Sequence, residues 1–250
     1  MTITNPRPKE EEAGKYYQST SYISHTSTAA GIMDYIYLIV RRFTLKWKYS
    51  LIKSHIQSGK LLDMGAGTGH FLNYCKSAGI EAYGVEPSQA RTSANNNNIF
   101  QALNDLPEAK FRVITLWHVL EHVYDLKETL TQLKNKLEEN GTILVAVPNL
   151  QSFDAKHYQD QWAAYDVPRH VWHFSKESMK ALMENNGLHV KEIIPMKLDS
   201  YYVSLLSEKN ISNGKLSLTG VVKGIWNGLR SNLKAGNEMN YSSLIYIIKK

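Results

Sequence analysis

Beyond residue 60 the chain alternates between two patterns. Short apolar runs, the mark of buried strands, give way to segments whose apolar residues recur every three or four positions, the mark of helices packed on one face. "KLLDM" (60–64) reads as a strand, and residues 70–77 as a helix stopped by Gly79 in a left-handed C-cap. "IEAYGVE" (80–86) is the next strand, after which Pro87 and Ser88 open another helix. "FRVITLW" (111–117) is a strand. Residues 124–139 form a helix with Leu126, Leu130, Leu133 and Leu137 on one face and Gly141 as its stop. "TILVAV" (142–147) is a buried strand ended by Pro148. Ser175 caps a helix over 176–186 that stops at Gly187, and "HVKEIIP" (189–195) and the terminal "SSLIYIIKK" (242–250) are strands. Strands separated by helices predict a mainly parallel sheet covered on both faces.

Three segments fall outside that rhythm. Residues 1–15 are polar and charged, and read as a loose tail. Residues 32–55 read as a helix with two apolar stripes, one of Ile36, Val40, Phe43, Trp47 and Leu51, the other of Leu38, Leu45 and Ile52. Residues 200–240 read as a helical insertion. The expected organisation is therefore a tail and helical lid over 1–55, a central domain over 56–198 and 241–250, and an insertion or cap over 199–240.

Composition narrows the class. The chain has 250 residues, of which 43% are hydrophobic, enough for one sizeable domain with additions. It contains no run of about 18 apolar residues that would span a bilayer, and its first residues lack the layout of a secretory signal. Cys75 is the single cysteine, so no internal disulfide forms, and a cytoplasmic location is the expectation. The net charge of +6 permits an anionic partner without demanding one. Residues 35–60 hold Arg41, Arg42, Lys46, Lys48, Lys53 and Lys60 with no acid, leaving peripheral membrane contact open. There is no strong nucleic-acid signal, and monomer and homodimer stay equally open.

The stretch "LLDMGAGTGHF" sets Gly65, Gly67 and Gly69 at the first strand-to-helix turn, where parallel sheets bind ligands. Asp63 ends the strand beside them. Glu86 ends the next strand, 17 residues after Gly69, where its carboxylate could accept from two ribose hydroxyls. A dinucleotide fingerprint would place a third glycine where His70 stands. The G-x-G-x-G spacing in "DMGAGTG", followed by "GVEPS", resembles the class I S-adenosylmethionine-dependent methyltransferases. The resemblance covers roughly residues 58–195 and the final strand. It implies a Rossmann-like, seven-stranded sheet with an antiparallel last strand. It also implies a cofactor, S-adenosylmethionine, held by Asp63, Gly65, Ala66, Gly67, Gly69, Phe71, Glu86 and Pro87, with Ala102 and Leu103 at the adenine and Leu116 and Trp117 beyond. Relatives often carry an acid at the end of the third strand. Here Gln101, Ala102 and Leu103 stand there, with Asp105 slightly late.

"LWHVLEHV" follows the fourth strand, and "YDVPRHVWHFS" comes later. Both resemble segments of a subgroup that includes the ubiquinone-biosynthesis O-methyltransferases. In some members a Glu-x-x-Glu-His motif and a later histidine bind a divalent metal. This chain reads His118-x-x-Glu121-His122, with His170 or His173 as the later candidate, so a metal is compatible but not assigned. In a helical turn His118 and His122 would face one way. Histidine has a pKa suited to taking a proton from a hydroxyl acceptor. His118 is the first choice, His170 the second, with Glu121 and His122 orienting. A structural alternative pairs Glu121 with Arg169 and hydrogen-bonds the histidines to loop carbonyls.

Tyr17, Tyr22 and His25 of an aromatic-rich segment, and Trp162 and Tyr165, are candidates for bordering a small-molecule acceptor. The insertion, with Tyr201, Tyr202, Leu205, Leu206, Val222, Ile225, Trp226 and Leu229, would cap that site with apolar surface or cover the N-terminal helix. The favoured reading is methyl transfer to a small, partly hydrophobic acceptor. RNA or protein methylation, nicotinamide-dependent oxidoreduction and a non-catalytic cofactor-binding adaptor are the alternatives.

Overall fold

A computed structural model of the chain describes residues 1–17, 32–88 and 98–250, with residues 32–40 and Asn237 described as backbone alone. Its strands are β1 (Thr2–Ile3), β2 (Lys60–Met64), β3 (Glu81–Val85), β4 (Ile99–Phe100), β5 (Phe111–Trp117), β6 (Leu137–Pro148), β7 (Trp172–His173), β8 (His189–Pro195) and β9 (Ser243–Lys249). Its α-helices are α1 (Glu10–Ala13), α2 (Ile32–Lys53), α3 (His70–Ser77), α4 (Leu126–Lys136), α5 (Phe153–Tyr158), α6 (Lys176–Asn185), α7 (Asp199–Ile211) and α8 (Leu218–Ala235). Seven strands form one sheet in the order β4-β3-β2-β5-β6-β9-β8. β2 runs parallel to β3 and β5, and β3 to β4, whereas β8 and β9 are antiparallel. This is the expected α/β architecture. Consecutive residues of the central strands are buried, Val113 and Ile114, Ile143 to Val147 and Leu244 to Ile248 among them. Burial of neighbours means burial of both sheet faces, which is why these strands read as continuous apolar runs.

The chain divides into two compact units, one of Met1–Pro8, Trp117–Leu130 and Leu144–Lys249, the other of Lys9–Leu116, Thr131–Ile143 and Lys250. In the second unit α3 ends as expected. Gly79 takes φ +85°, its amide reaches the Lys76 carbonyl at 2.9 Å, and the Ile80 amide reaches that of Cys75 at 3.0 Å, the paired bonds of a Schellman motif. α2 packs on α3 through Tyr49 and Tyr74, edge to face at 5.5 Å. On one of its two stripes Ile52 is buried and Leu45 half-buried, while Phe43 on the other stands exposed. Ile36, Leu38 and Val40 lie outside the described side chains.

The helix expected over 124–139 is shorter, Leu126–Lys136, because the chain has already become strand at Leu137. Gly141 is no left-handed stop. A Cβ there would meet Leu137 Cδ1 at 2.6 Å, so this glycine lets the Leu137 side chain fold over the strand. The helix expected after Pro87 falls on residues 89–97, outside those described.

In the first unit, residues 1–8 of the expected loose tail are ordered against the "PRHVWH" segment. Thr2 and Ile3 pair antiparallel with His173 and Trp172. The Thr4 hydroxyl donates to the His170 carbonyl at 2.7 Å, and the Arg7 guanidinium lies over the rings of Tyr124 and Trp172. α7 and α8 form a hairpin. α8 lays Gly224 and Gly228 against Leu205 and Tyr201, so closely that a Cβ would come within 2.9 and 2.8 Å of them. Beneath the hairpin, buried Asp154 accepts from Trp162 Nε1 at 2.8 Å, Ser231 Oγ at 2.6 Å and Ser242 Oγ at 2.7 Å. Three charge-assisted bonds satisfy a carboxylate that would otherwise be costly to bury.

Candidate active site

The glycine loop belongs to the second unit. Gly65, Gly67 and Gly69 take φ of +72°, +54° and +78°. Side chains other than glycine seldom adopt that region, so all three glycines are required by the turn itself. The Gly65 and Ala66 amides reach back to the Val85 carbonyl at 2.7 and 3.0 Å, tying the loop to the end of β3. Gly84 makes room for this, since a Cβ on it would lie 2.8 Å from the Ala66 methyl. A Cβ built on Gly67, by contrast, meets no atom within 4 Å among the described residues.

Glu86 is buried, and its two oxygens accept from the Gly67 amide at 3.0 Å and the Ser88 amide at 3.1 Å. Each carboxylate oxygen has two lone pairs, so the amides fix the group's orientation without exhausting its capacity. Asp63, 3% exposed, accepts from Thr115 Oγ1 at 2.7 Å. Burial pushes its carboxyl up to about 6 against the opposing pull of that hydrogen bond. At the loop–helix junction Arg41 Nη1 meets His70 Nε2 at 2.9 Å. Arginine can only donate, so His70 accepts and is the neutral tautomer protonated at Nδ1. Phe71, Leu103 and Leu116 are buried, and Pro87 and Ala102 are exposed. Asp105, late in sequence for an adenine-side acid, accepts from the Ala102 amide at 3.0 Å.

The histidine cluster belongs to the first unit, and it departs from the helical turn expected of it. His118 sits at φ +56° and only Leu120–His122 form a 3-10 turn, so His118 and His122 do not share a helical face. His118 Nε2 lies 3.0 Å from Asp199 Oδ2 and its Nδ1 3.3 Å from Glu121 Oε1. Burial disfavours the charged ring, but the two carboxylates outweigh it and raise the imidazole to about 10. Arg169 pairs with Asp166 rather than with Glu121. Glu121 is 1% exposed, with neither oxygen in hydrogen-bond geometry. Burial alone would raise its carboxyl, yet the imidazoles around it, His118 first, hold it below the usual range.

His122 and His170 meet edge to face with ring centroids 4.5 Å apart. His122 Nδ1 lies 3.0 Å from the Arg169 carbonyl, and His170 Nδ1 2.9 Å from that of Ala164. A carbonyl only accepts, so each Nδ1 donates. Burial lowers His170 to about 4, leaving it neutral. Ligand atoms of Glu121, His122 and His170 lie within 4.8 Å of one another. His173, the other late candidate, contacts Thr4 Oγ1 at 3.0 Å instead.

Each acceptor-side candidate has its own surroundings. Trp162 is 2% exposed, its indole held by Asp154, and it forms a small core with Ala155, Tyr158, Ala164 and Val203. It therefore borders no open space. Half-buried Tyr165 packs edge-on against Trp162 and His173. Tyr17 is half-buried at the end of the turn Gly14–Tyr17, Trp117 is half-buried, and Tyr22 and His25 lie outside the described residues. Asp199 and Thr115 were not legible as site residues. Asp199 is a helix-opening acid like many others, and Thr115 sits inside an apolar run.

Comparison with known proteins follows the same lines. Residues 39–193 match the family described as "Methyltransferase domain". An uncharacterized protein of Methanocaldococcus jannaschii is 26% identical over 157 residues, 60% of this chain and 68% of that protein. Among solved structures, a SAM-dependent methyltransferase from Archaeoglobus fulgidus superposes with a TM-score of 0.53 at 19% identity, covering 86% of this chain and all (100%) of that one. Phosphoethanolamine N-methyltransferase 2 of Haemonchus contortus, in complex with S-adenosyl-L-methionine, has a TM-score of 0.51 at 16% identity over 82% of this chain and 52% of that one. Mycolic acid cyclopropane synthase, complexed with SAH and CTAB, has a TM-score of 0.54 at 12% identity over 82% of this chain and 84% of that one.

Proposed function

The chain belongs to the methyltransferase-domain family, and from that premise we propose that it transfers the methyl group of S-adenosylmethionine to a small, partly hydrophobic acceptor. The glycine loop carries this reading: three left-handed glycines, no described atom within 4 Å of a Cβ on Gly67, and a buried carboxylate fixed by the Gly67 amide. The loop would cradle the amino-acid end of the cofactor, and Glu86 would accept from the ribose hydroxyls. Arg41, at the junction with α3, offers a cation for a carboxylate. Because the sulfonium already makes the methyl electrophilic, the protein's chief task is to align it with the nucleophile. Two of the solved neighbours are named for phosphoethanolamine and for mycolic acid, a small molecule and a lipid.

His118, Glu121, His122 and His170 are assigned to the acceptor side of the reaction. Within the cluster the proton-accepting role passes from His118 to His170 and His122. A His118 ring held by carboxylates at both nitrogens is an acid rather than a base, and it keeps Glu121 ionised. A divalent metal is a second reading, favoured by one observation. Glu121 is a buried carboxylate whose oxygens lie outside hydrogen-bond geometry, with the His118 ring 3.3 Å away, beside two imidazoles whose Nδ1 atoms are turned to carbonyls, the outer-shell arrangement of metal-binding histidines. Glu121, His122 and His170 would hold the ion, which when bound would supply Lewis-acid activation of a hydroxyl.

Calorimetry tests the cofactor assignment. S-adenosylmethionine and its demethylated product should bind and NAD should not. Glu86→Ala should lose about 1.5–3 kcal/mol of affinity, the range for hydrogen bonds to a charged group. NAD binding tighter than S-adenosylmethionine, or a parent-like titration by the variant, would overturn it. Labelled cofactor offered with fractionated metabolites identifies the acceptor.

A further inference from the structure

The hairpin of α7 and α8 is packed inside out. The buried side of α8 is Gly220, Gly224, Asn227, Gly228, Ser231 and Ala235, all small or polar. Its bulky side chains point the other way. Leu218, Val222, Ile225, Trp226, Leu229 and Leu233 are all exposed, Leu218 by 82% and Trp226 by 58%. At 3.6 residues per turn these six fall in one sector of about 100°, opposite the glycines. A stripe of that width normally faces a core. Here nothing among the described residues covers it.

Charge indicates what does. α8 contains Lys223, Arg230 and Lys234 and no acid, and on the helical wheel the three cations line one edge of the apolar stripe. The hairpin's two acids are engaged inward: Glu208 accepts from the Tyr158 hydroxyl at 3.0 Å, and Asp199 pairs with His118 at 3.0 Å. A second copy laid face to face would offer these cations no acid, since α8 has none. An anionic lipid surface would take the apolar side chains into its acyl boundary and leave the cations among its headgroups. No described helix is long and apolar enough to cross a membrane, so the element would lie in the interface. Trp226 on the stripe suits that depth.

We propose that α8, held by α7, docks the protein on anionic lipid bilayers through this stripe. The proposal does not depend on the cofactor or the acceptor. The full chain is mixed with vesicles of phosphatidylcholine alone, or of phosphatidylcholine with phosphatidylglycerol at 3:1, and bound protein is measured by flotation. Binding to the anionic vesicles should exceed binding to the neutral ones at least tenfold and should weaken with salt. The combined exposed-site variant Leu218→Ser/Val222→Ser/Trp226→Ser/Leu229→Ser should lose it, and Lys223→Gln/Arg230→Gln/Lys234→Gln should bind both vesicles alike. Brominated lipid should quench the fluorescence that Trp226→Phe removes, a readout that needs no multiply substituted protein. Three results would overturn the proposal. One is no flotation with either vesicle. Another is flotation unchanged in both combined variants. The third is a concentration-dependent dimer, seen by sedimentation, that the serine variant abolishes while vesicles fail to bind the parent.

Discussion

Asp63→Asn should stabilise the protein at neutral pH relative to acid pH, although it removes a residue of the glycine-loop site. Asp63 is 3% exposed, and burial raises its carboxyl from 3.8 to about 6. The folded chain therefore holds a proton on Asp63 that the unfolded chain has already released between those values. For an acid whose folded pKa is raised, stability is greatest below the unfolded value and falls as pH rises through the folded one. The loss spans 6 − 3.8, or 2.2 pH units. At about 1.4 kcal/mol each, that is roughly 3 kcal/mol by pH 7.5. Asparagine has the same shape, can still accept from Thr115, and does not titrate. Urea denaturation of parent and variant at pH 4, 5, 6 and 7.5 isolates the effect, because every other group titrates in both. The stability of the variant minus that of the parent should grow by about 2–4 kcal/mol from pH 4 to pH 7.5, with most of the change complete by pH 7. A difference flat across that range would mean that Asp63 titrates in the fold as it does unfolded, and the account of its burial would be wrong.

Gly67→Val should fold and fail to bind S-adenosylmethionine. The added Cβ meets no described atom within 4 Å, while the left-handed backbone costs about 1–2 kcal/mol; a folded variant that titrates like the parent would show that the ligand does not rest on this loop. Zinc added to chelator-stripped protein should bind, and His170→Ala or Glu121→Gln should each lower that affinity by roughly tenfold or more; equal affinity in parent and variants, measured by competition with a chromophoric chelator, would show that the cluster is no metal site.

The sheet and the glycine loop were legible because local chemistry decides them. Strands buried on both faces announce themselves as apolar runs, and three glycines in five positions have few uses other than a left-handed turn. The Ser175 cap at α6 is read the same way, since its hydroxyl accepts from the Ser178 amide three residues on. What failed was non-local. The pairing of His118 with Asp199 joins residues far apart in the chain, and no spacing rule singles out the partner. Residues 1–8 look like a tail because the surface that orders them, around Trp172 and Tyr124, lies far along the sequence. The hairpin failed for a different reason. Periodicity says which residues share a face, not which face turns inward, and the usual assumption sends the large apolar side chains in. Gly224 and Gly228 reverse that choice by letting α8 approach α7 closely, while Asn227 and Ser231 find buried partners in Tyr158 and Asp154. With the small and polar face committed to packing, nothing among the described residues buries Leu218, Val222 and Trp226. A sequence reader could have found the signal in Gly220, Gly224 and Gly228 themselves: glycines four residues apart along a helix mark the side on which another backbone comes close, so the opposite side is the one left facing outward.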